Sequence, residues 1–461
     1  MRSLWLREAL GGEPERQPLE GDRRLDVCIV GGGFTGLWTA LRLKELEPAL
    51  DVGIVEADVC GGGASGRNGG FVLSWWAKFA TLQKLCGVEE ALRLARASAS
   101  AVDEIGAVCE REGIDAHYRR DGWLWTATSA AQMGAWESTV TAVRRHGEEP
   151  FVALEPGEAA ERAGAATHLG GVFEPTAASV QPALLARGLR RAALDRGVQI
   201  FEGTPMLGLT RSAPPRVRTP GGTITADRVV LALNAWAARL RELRRRLVVI
   251  ASDMVATAPA PERIAELGWG GLCISDSRML VNYFRATRDG RVAWGKAGGT
   301  LAFAGRVGRS FQGTSPRAAA VAASMRRLYP QLADVEVDAS WTGPIDRSTS
   351  GLPFFARLGE RPDLLVGAGY SGNGVGPSLL GGRILASLTL GLDDEWASSG
   401  LVGLPAGGFP PEPARYVGGL AVRAAVERKE AAEDAGRAPA RRDRALAGLA
   451  PAGLVPTNAD A

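Results

Sequence analysis

One unit near the start of the chain constrains its fold more than any other feature: a strand, a glycine turn, a helix, a second strand and an acid, in that order. Residues 26–36 read D-V-C-I-V-G-G-G-F-T-G. Gly31, Gly33 and Gly36 stand at the G-x-G-x-x-G spacing, which permits a tight turn, a close approach of the backbone to a pyrophosphate, and packing of the helix on the strand. The next apolar run ends in Glu56, where a carboxylate can accept ribose hydroxyl groups. The unit predicts a dinucleotide-binding βαβ fold.

A second glycine-rich stretch distinguishes between two dinucleotides. Residues 61–70 read G-G-G-A-S-G-R-N-G-G. A second helix N-terminus here can bind the remaining phosphate with Ser65 and Arg67, while Gly69 and Gly70 let the backbone lie against a flat ring. NAD would satisfy the first unit, and a flexible loop would explain the glycines by themselves. The position of the stretch directly after the ribose acid favours FAD.

A copy of the glycine spacing occurs late in the chain. Residues 364–376 read L-L-V-G-A-G-Y-S-G-N-G-V-G, but no second strand ending in an acid follows. We therefore predict a last parallel strand whose following helix directs its positive end at the pyrimidine carbonyl of the flavin. Residues 341–355 are interpreted as a turn-rich segment able to close over the isoalloxazine.

These motifs resemble the D-amino-acid-oxidase superfamily, and within it the γ-glutamylputrescine and aminophosphonate oxidoreductase groups. The resemblance covers roughly residues 3 to 400 and rests on residues 30–36, 63–70, 231–236, 341–343 and 369–375. It implies FAD-dependent oxidation of a primary or secondary amine: hydride passes to flavin N5, the imine hydrolyses, and oxygen or another acceptor reoxidises the flavin. The cofactor contacts expected on this basis are Gly31, Gly33, Phe34, Thr35, Gly36, Glu56, Ala57, Gly63, Ala64, Ser65, Arg67, Asn68, Gly69, Gly70, Met206, Ala232, Asn234, Trp236, Gly343, Gly372, Asn373, Gly374 and Val375.

The chain departs from the family pattern at two places. The family often carries histidine where this chain has Asn373, so a contact made by that histidine is not carried over. No cysteine follows Trp341, in the stretch where sarcosine oxidases carry their covalent flavin link. We therefore expect FAD to be held without a covalent bond.

Three residues are candidates for substrate contact. Tyr283 and Arg285, in N-Y-F-R, lie where family members place residues facing the flavin. Arg285 is expected either to bind a carboxylate or phosphonate through a bidentate pair or to form a salt bridge at a sheet edge. Tyr370 either lines the pocket or packs against the last strand. No catalytic residue is assigned, because a neutral amine can deliver hydride directly, and substrate choice is expected to be set by Asn373 and residues 275–294.

The predicted fold class is α/β, with a Rossmann-like FAD-binding domain and an inserted mixed-sheet substrate domain of the glycine-oxidase type. The FAD-binding domain is assigned to residues 1–80, 165–245 and 340–400, and the substrate domain to residues 81–164 and 246–339. Residues 401–461 are expected to form a surface helix, over 416–444, and a loose tail.

Composition limits the partners. The chain has 54 basic and 51 acidic residues, and this balance indicates neither a nucleic-acid nor a membrane partner. No apolar run approaches the length of a transmembrane helix, and the N-terminus lacks a signal-peptide core. Five separated cysteines fit a reducing cytoplasm, and three separated histidines argue against a metal site. The basic run at residues 239–246 favours a solvated helix face over steering of an anion.

Other oxidations remain open at this stage, and so does the oligomeric state. A 2-hydroxy-acid dehydrogenase on the same scaffold would oxidise a C–O bond and pass electrons to a quinone. A flavin monooxygenase would need an NADPH site or a late G-D motif, neither of which is found at the expected place. The residues themselves predict FAD and a redox role, whereas C–N chemistry and a small-molecule amine substrate rest on the resemblance.

Overall fold

A computed structural model describes residues 2–12, 17–211 and 213–451 of the chain, so the predicted loose tail beyond residue 451 lies outside the described residues. The helices are α1 Leu4–Ala9, α2 Phe34–Leu46, α3 Phe79–Cys86, α4 Val88–Arg111, α5 Glu137–Arg144, α6 Glu158–Ala163, α7 Pro182–Asp195, α8 Pro261–Leu267, α9 Ala318–Leu328, α10 Pro377–Leu390, α11 Ala414–Asp434 and α12 Arg441–Ala447. The strands are β1 Arg23–Val30, β2 Val52–Val55, β3 Phe71–Val72, β4 Trp123–Ala127, β5 Val152–Ala153, β6 Gly170–Glu174, β7 Ala178–Ser179, β8 Gln199–Phe201, β9 Gly208–Thr210, β10 Arg216–Thr219, β11 Gly222–Leu231, β12 Leu247–Thr257, β13 Cys273–Asp276, β14 Asn282–Ala286, β15 Val292–Lys296, β16 Val337–Ser348, β17 Phe354–Arg357 and β18 Leu364–Ala368.

The first sheet is the predicted parallel sheet. Its main order is β8-β2-β1-β11-β18-β17, and every neighbouring pair is parallel except β18–β17. The chain moves outward from β1 to β2 and β8 on one side, and later to β11 and β18 on the other. Ligands of such sheets bind where the order reverses, outside the carboxyl ends of the strands. The sheet therefore places a binding crevice at the ends of β1 and β11, and the prediction of a last parallel strand at β18 is confirmed.

Small residues let the helices approach this sheet closely. A Cβ atom added to Gly36 in α2 would lie 2.0 Å from the carbonyl oxygen of Gly31. A Cβ atom added to Gly382 in α10 would lie 2.6 Å from Cβ of Trp38 in α2. Any larger side chain would separate these elements, so both glycines are required by packing.

The second sheet has the order β16-β12-β15-β14-β13-β4-β6-β5 and is antiparallel except between β13 and β4. The turn-rich interpretation of residues 341–355 was wrong for most of that segment. β16 pairs with β12 along its whole length, and β17 follows after a short connection. The proline within β16, Pro344, is compatible with a strand because β16 lies at the sheet edge, where one side of the backbone needs no partner.

The two sheets correspond to the predicted parallel and inserted units, and the predicted fold class is confirmed. The sheet pairing favours a shift of the proposed domain boundaries. β6 and the part of β16 beyond residue 340 pair within the second sheet, whereas the prediction assigned them to the FAD-binding domain. In addition, α4, which the prediction assigned to the substrate domain, packs against α10 of the predicted FAD-binding domain. Glu104 of α4 forms an ion pair with Arg383 of α10.

The C-terminal helix predicted over residues 416–444 is broken in two. α11 ends at Asp434 and α12 begins at Arg441, because Gly436 adopts a left-handed φ of 66° and a proline follows at position 439. α11 also packs against the connection between β13 and β14 of the second sheet: Val426 clusters with Leu280, and Glu430 Oε1 accepts from the amide of Leu280 at 2.8 Å. None of the helices within the described ranges combines the length and apolar character needed to cross a bilayer.

Candidate functional site

A cavity of about 760 Å³ lies at the carboxyl ends of β1, β11 and β18. Gly31, Ala232 and Gly367 contribute to its wall from the first sheet, and Ser252 and Tyr283 contribute from the second. The volume falls within the range of roughly 300–1,000 Å³ that is usual for small-molecule sites. The cavity therefore occupies the crevice that the strand order predicts and extends to the second sheet.

Most of the residues expected to contact the cofactor meet in this wall. Those that line it are Gly31, Gly33, Phe34, Thr35, Glu56, Ala57, Gly63, Ala64, Ser65, Arg67, Asn68, Gly69, Met206, Ala232, Asn234, Trp236, Gly343, Gly372, Asn373, Gly374 and Val375. Gly36 and Gly70 lie outside the wall. Gly36 is needed for helix packing, and Gly70 has a φ of 76° and no room for a Cβ atom, which would lie 2.0 Å from the carbonyl oxygen of Val180.

The turn between β1 and α2 has the form that a pyrophosphate site requires. Gly31 has a φ of 115°, and a Cβ atom there would lie 2.4 Å from the carbonyl oxygen of Ala232. The amide of Phe34 at the start of α2 donates to Ser65 Oγ at 2.9 Å. Gly33, Phe34 and Thr35 all line the cavity. The positive end of the α2 dipole is thus presented to any anion bound there.

The acid at the end of β2 is held by two backbone amides. Glu56 Oε2 accepts from the amide of Gly32, and Oε1 accepts from the amide of Asp58, both at 2.8 Å. Desolvation raises the pKa of Glu56, and these two bonds oppose the rise. Each carboxylate oxygen keeps a further lone pair. The group can therefore accept a ribose hydroxyl from the cavity without losing its backbone partners.

The glycine-rich loop that follows is shaped by its own polar side chains. Asn68 Nδ2 donates to the carbonyl oxygens of Ala64 and Ser65 at 3.0 and 2.9 Å, and its Oδ1 accepts from the amide of Gly70 at 2.7 Å. Arg67 Nε donates to the carbonyl oxygen of Gly62 at 3.0 Å. Burial lowers the pKa of Arg67, yet an arginine stays protonated in proteins. The loop therefore places one cation in the cavity wall, where it can pair with phosphate.

Arg285 lies outside the cavity wall, so the structure does not bring it into the predicted contact with a substrate in the cavity. Its Nε donates to the carbonyl oxygen of Gly69 at 2.8 Å, and its Nη2 donates to that of Val180 at 2.6 Å. Its Nη1 donates to the carbonyl oxygen of Ala286 at 3.0 Å. The alternative of a salt bridge at a sheet edge does not describe it either, since these partners are backbone carbonyls. Arg285 braces the glycine-rich loop from behind.

The two predicted tyrosines both line the cavity but differ in their partners. Tyr283 shares a hydrogen bond of 2.8 Å with Ser252, and burial raises its pKa to about 12. The Tyr370 hydroxyl accepts from Thr35 Oγ1 at 2.9 Å and lies against Gly381 of α10. The hydroxyl of Tyr370 is thus engaged between the two helices, while the residue still contributes to the wall.

Asp346 is a cavity residue that sequence reasoning missed. Its Oδ2 accepts from the amide of Gly369 at 2.5 Å, and its Oδ1 accepts from Asn234 Nδ2 at 3.2 Å. Burial raises the pKa of Asp346 to about 7, although backbone amides oppose the rise. The carboxyl group ties the residues after β11 to those after β18. No local pattern marks this role, because both partners are more than twenty residues away.

Comparison with known proteins decides what binds in the cavity. The family described as "DAO: FAD dependent oxidoreductase" matches residues 26–388. The chain belongs to this family. Its cofactor is FAD, and the enzyme is an oxidoreductase of the kind represented by glycine oxidase, sarcosine oxidase and γ-glutamylputrescine oxidoreductase.

Individual relatives of this DAO-family oxidoreductase cover most of its length. "Probable oxidoreductase OrdL" from Rhizobium meliloti (strain 1021) is 30% identical over 398 residues, which are 85% of this chain and 89% of the relative. γ-Glutamylputrescine oxidoreductase from Escherichia coli (strain K12) is 29% identical over 370 residues, covering 79% and 84%. The crystal structure of glycine oxidase from Geobacillus kaustophilus superposes with a TM-score of 0.68 at 27% identity, covering 84% of this chain and 99% of that one.

The geometry of the DAO-family site fits FAD on three observations. Gly31 and Gly33 line the cavity at a turn in which Gly31 has no room for a Cβ atom, the start of α2 faces the same cavity, and a carboxylate stands at the end of β2. Glycine, helix N-terminus and acid are the three parts a dinucleotide requires. Among the residues that the structure describes, no group of three or more histidine, cysteine or acidic side chains is arranged to hold a metal ion.

Proposed function

We propose that this oxidoreductase oxidises the C–N bond of a primary or secondary amine to an imine, which water then hydrolyses. FAD held in this cavity would supply the two-electron oxidising capacity for this step as a hydride acceptor, with oxygen or another acceptor as the final oxidant. The observation that carries the proposal is the extension of the cofactor cavity beyond the FAD motifs to Ser252 and Tyr283 of the second sheet. Two of the relatives, glycine oxidase and γ-glutamylputrescine oxidoreductase, are named for amine substrates, which supports an amine as substrate.

The residues that would hold FAD follow from the cavity wall. The start of α2, with Gly33 and Ser65, and the Arg67 guanidinium would bind the pyrophosphate. Glu56 would accept the ribose hydroxyls. The positive end of α10, which begins directly after cavity residues 372–375, would lie beside the pyrimidine carbonyl of the ring. No cysteine is among the described residues of the wall, which supports non-covalent binding.

The substrate side of the cavity is suited to a neutral amine. Phe71 and Leu73, in and after β3, contribute to its wall together with Ser252, Val281 and Tyr283 from the second sheet and its β13–β14 connection. The rings of Phe71 and Tyr283 meet edge to face with centroids 6.0 Å apart. The hydroxyl of Tyr283 remains protonated at neutral pH, because burial raises its pKa to about 12. Ser252 and Tyr283 offer hydroxyl groups for hydrogen bonds, and none of these five side chains is a general base, which direct hydride transfer from a neutral amine does not need.

The test is an anaerobic reduction assay on the FAD-loaded protein, following the visible absorbance of oxidised flavin. The probes are glycine, sarcosine, D-alanine, γ-glutamylputrescine, putrescine and 2-aminoethylphosphonate, with lactate and NADPH as the competing reductants. Bleaching by an amine and not by lactate or NADPH is expected. Bleaching by lactate or NADPH alone would replace the proposal with a hydroxy-acid dehydrogenase or a monooxygenase. Admission of oxygen after bleaching separates an oxidase from a dehydrogenase.

A further inference from the structure

Asn373 stands in the cavity wall with one end of its side-chain amide held and the other end free. The residue is 9% exposed and lies between β18 and α10. Its Nδ2 donates to the carbonyl oxygen of Ser74 at 3.1 Å, and its backbone amide donates to the carbonyl oxygen of Tyr370 at 3.0 Å. A backbone carbonyl can only accept, so the nitrogen end of the amide must face Ser74. The orientation of the Asn373 side chain is therefore determined by chemistry.

The oxygen end of the same amide has no protein donor. Within the described part of the chain, Asn373 Oδ1 accepts no hydrogen bond, although the residue is more than nine-tenths buried. Oδ1 itself is open to the cavity and is not sealed in the core, so it is available as an acceptor for a molecule bound there. Since Asn373 lines the cavity, the molecule that fills the cavity is what can supply the missing donor.

The partner of Asn373 is itself fixed to the second sheet. Ser74 Oγ donates to Glu174 Oε1 in β6 at 2.6 Å, and Thr176 Oγ1 donates to the same oxygen at 2.9 Å. Ser74 and Glu174 are both buried. The chain of bonds from Glu174 through Ser74 to Asn373 joins the second sheet to the loop of the first. Oδ1 is consequently an acceptor held in place before a substrate arrives.

We propose that Asn373 Oδ1 accepts an N–H hydrogen bond from the substrate amine and thereby selects amines that carry at least one N–H. This inference rests on the proposed amine oxidation. As the substrate C–H bond breaks with its electron pair leaving as hydride, the nitrogen lone pair forms the C=N bond and positive charge grows on nitrogen. An N–H donor strengthens as its nitrogen becomes positive, so the bond to Oδ1 is stronger in the transition state than in the ground state. A tertiary amine has no N–H in its neutral form and leaves Oδ1 unpaired.

The experiment compares flavin reduction by amines that differ only in N–H number. The probes are glycine, 2-aminoethylphosphonate and γ-glutamylputrescine, each with the N-methyl and N,N-dimethyl derivatives of its free amine. In the FAD-loaded wild type, the limiting reduction rate divided by the dissociation constant is expected to be at least about tenfold higher for the primary than for the dimethyl amine. In Asn373→Leu this ratio is expected to fall to near one, because the primary amine loses about 10- to 100-fold and the dimethyl amine does not.

Three further measurements separate this role from a structural one. Asn373→His is expected to restore part of the ratio, because neutral imidazole can donate to Ser74 through one nitrogen and accept through the other. The FAD dissociation constant of Asn373→Leu is measured by quenching of flavin fluorescence, and the fall in the ratio is expected at saturating FAD, where weaker FAD binding does not contribute to it. Gln331→Leu removes an exposed amide outside the cavity wall and is the control.

The outcomes are distinct. An unchanged ratio in Asn373→Leu, with amines still reducing the wild type, would overturn this inference alone. A loss confined to FAD affinity would show instead that Oδ1 accepts from the cofactor, and it would overturn the inference as well. Failure of every amine to reduce the wild type would remove the proposed function and this inference with it.

Discussion

Substitution of Arg285 tests whether this buried arginine binds the substrate or stabilises the glycine-rich loop. The residue is 4% exposed, and its guanidinium donates to the carbonyl oxygens of Gly69, Val180 and Ala286. The guanidinium also lies 5.2 Å from the centre of the Trp5 ring. Arg285→Ala removes all of these contacts and leaves three carbonyl oxygens without their charged donor. We therefore expect the variant to lose stability and FAD affinity, and to keep its affinity for acidic amines.

The magnitude follows from two opposing effects. Each hydrogen bond from a charged group contributes roughly 1.5–3 kcal/mol, so three bonds contribute roughly 5–9 kcal/mol. Removing a buried charge returns several kcal/mol of desolvation, roughly half of that gain. The expected loss in free energy of unfolding is therefore about 2–4 kcal/mol. Arg285→Lys should lose less, because an ammonium group keeps the charge but cannot reach three separate carbonyls.

The assay is urea unfolding with and without saturating FAD, together with steady-state kinetics at saturating FAD. Arg288→Ala is the matched control, because Arg288 is an exposed arginine three positions along whose ion pair with Asp115 is also exposed. A lower unfolding midpoint for Arg285→Ala, with KM unchanged for glycine and 2-aminoethylphosphonate, is expected. An unchanged midpoint with KM raised at least tenfold for these two acidic amines would refute the reasoning and return Arg285 to the substrate site.

Three other changes have expected outcomes. Glu56→Gln replaces one acceptor oxygen by a donor beside backbone amides, and it should weaken FAD binding about 10-fold or more in a fluorescence titration. Burial raises the pKa of Asp346 to about 7, so the stabilisation from its protonated form is present at acid pH and is lost as the pH rises through about 7. Relative to Asp346→Asn, the wild type should therefore lose free energy of unfolding between about pH 4 and pH 7. Above that range the difference between the two proteins should change little. Glu430→Leu leaves the amide of Leu280 without its buried carboxylate partner, and it should lower the urea midpoint with an expected loss of about 2 kcal/mol or more.

The parts of the fold that the sequence predicts are those in which local chemistry is decisive. Gly31 and Gly36 are required by backbone contacts shorter than any Cβ atom allows, and such contacts restrict a position to glycine. The acid at Glu56 follows from its place at a strand end. Both features lie within a single βαβ unit, so spacing along the chain is enough to predict them.

The parts that the sequence does not predict depend on distant partners. β16 contains a proline and several turn-forming residues, and only its pairing with β12 shows that it is an edge strand. Asp346 joins segments that no spacing brings together. Arg285 lies near the site in sequence pattern, but the direction of its side chain depends on carbonyls from β3 and β7 neighbours. Alternation of residues along a strand indicates on which face a side chain lies, but it does not indicate which groups the side chain contacts there.

The glycine-rich loop shows how these distant partners affect cofactor binding. Successive carbonyl oxygens of residues 67–69 accept side-chain bonds from three separate elements: Trp341 Nε1 of β16 at 2.8 Å, Trp5 Nε1 of α1 at 2.9 Å, and Arg285 Nε of β14 at 2.8 Å. Carbonyl groups paired in this way direct their negative ends at these donors, and the amides of Asn68 and Gly69, which donate to no protein atom in the described part of the chain, are left for the cofactor. Because all three donors must be docked before the loop takes this form, FAD binding and the docking of α1 and the second sheet are thermodynamically linked. By the same linkage, FAD stabilises that docking, and substitutions at Trp5 or Trp341 should weaken FAD binding although neither residue lines the cavity.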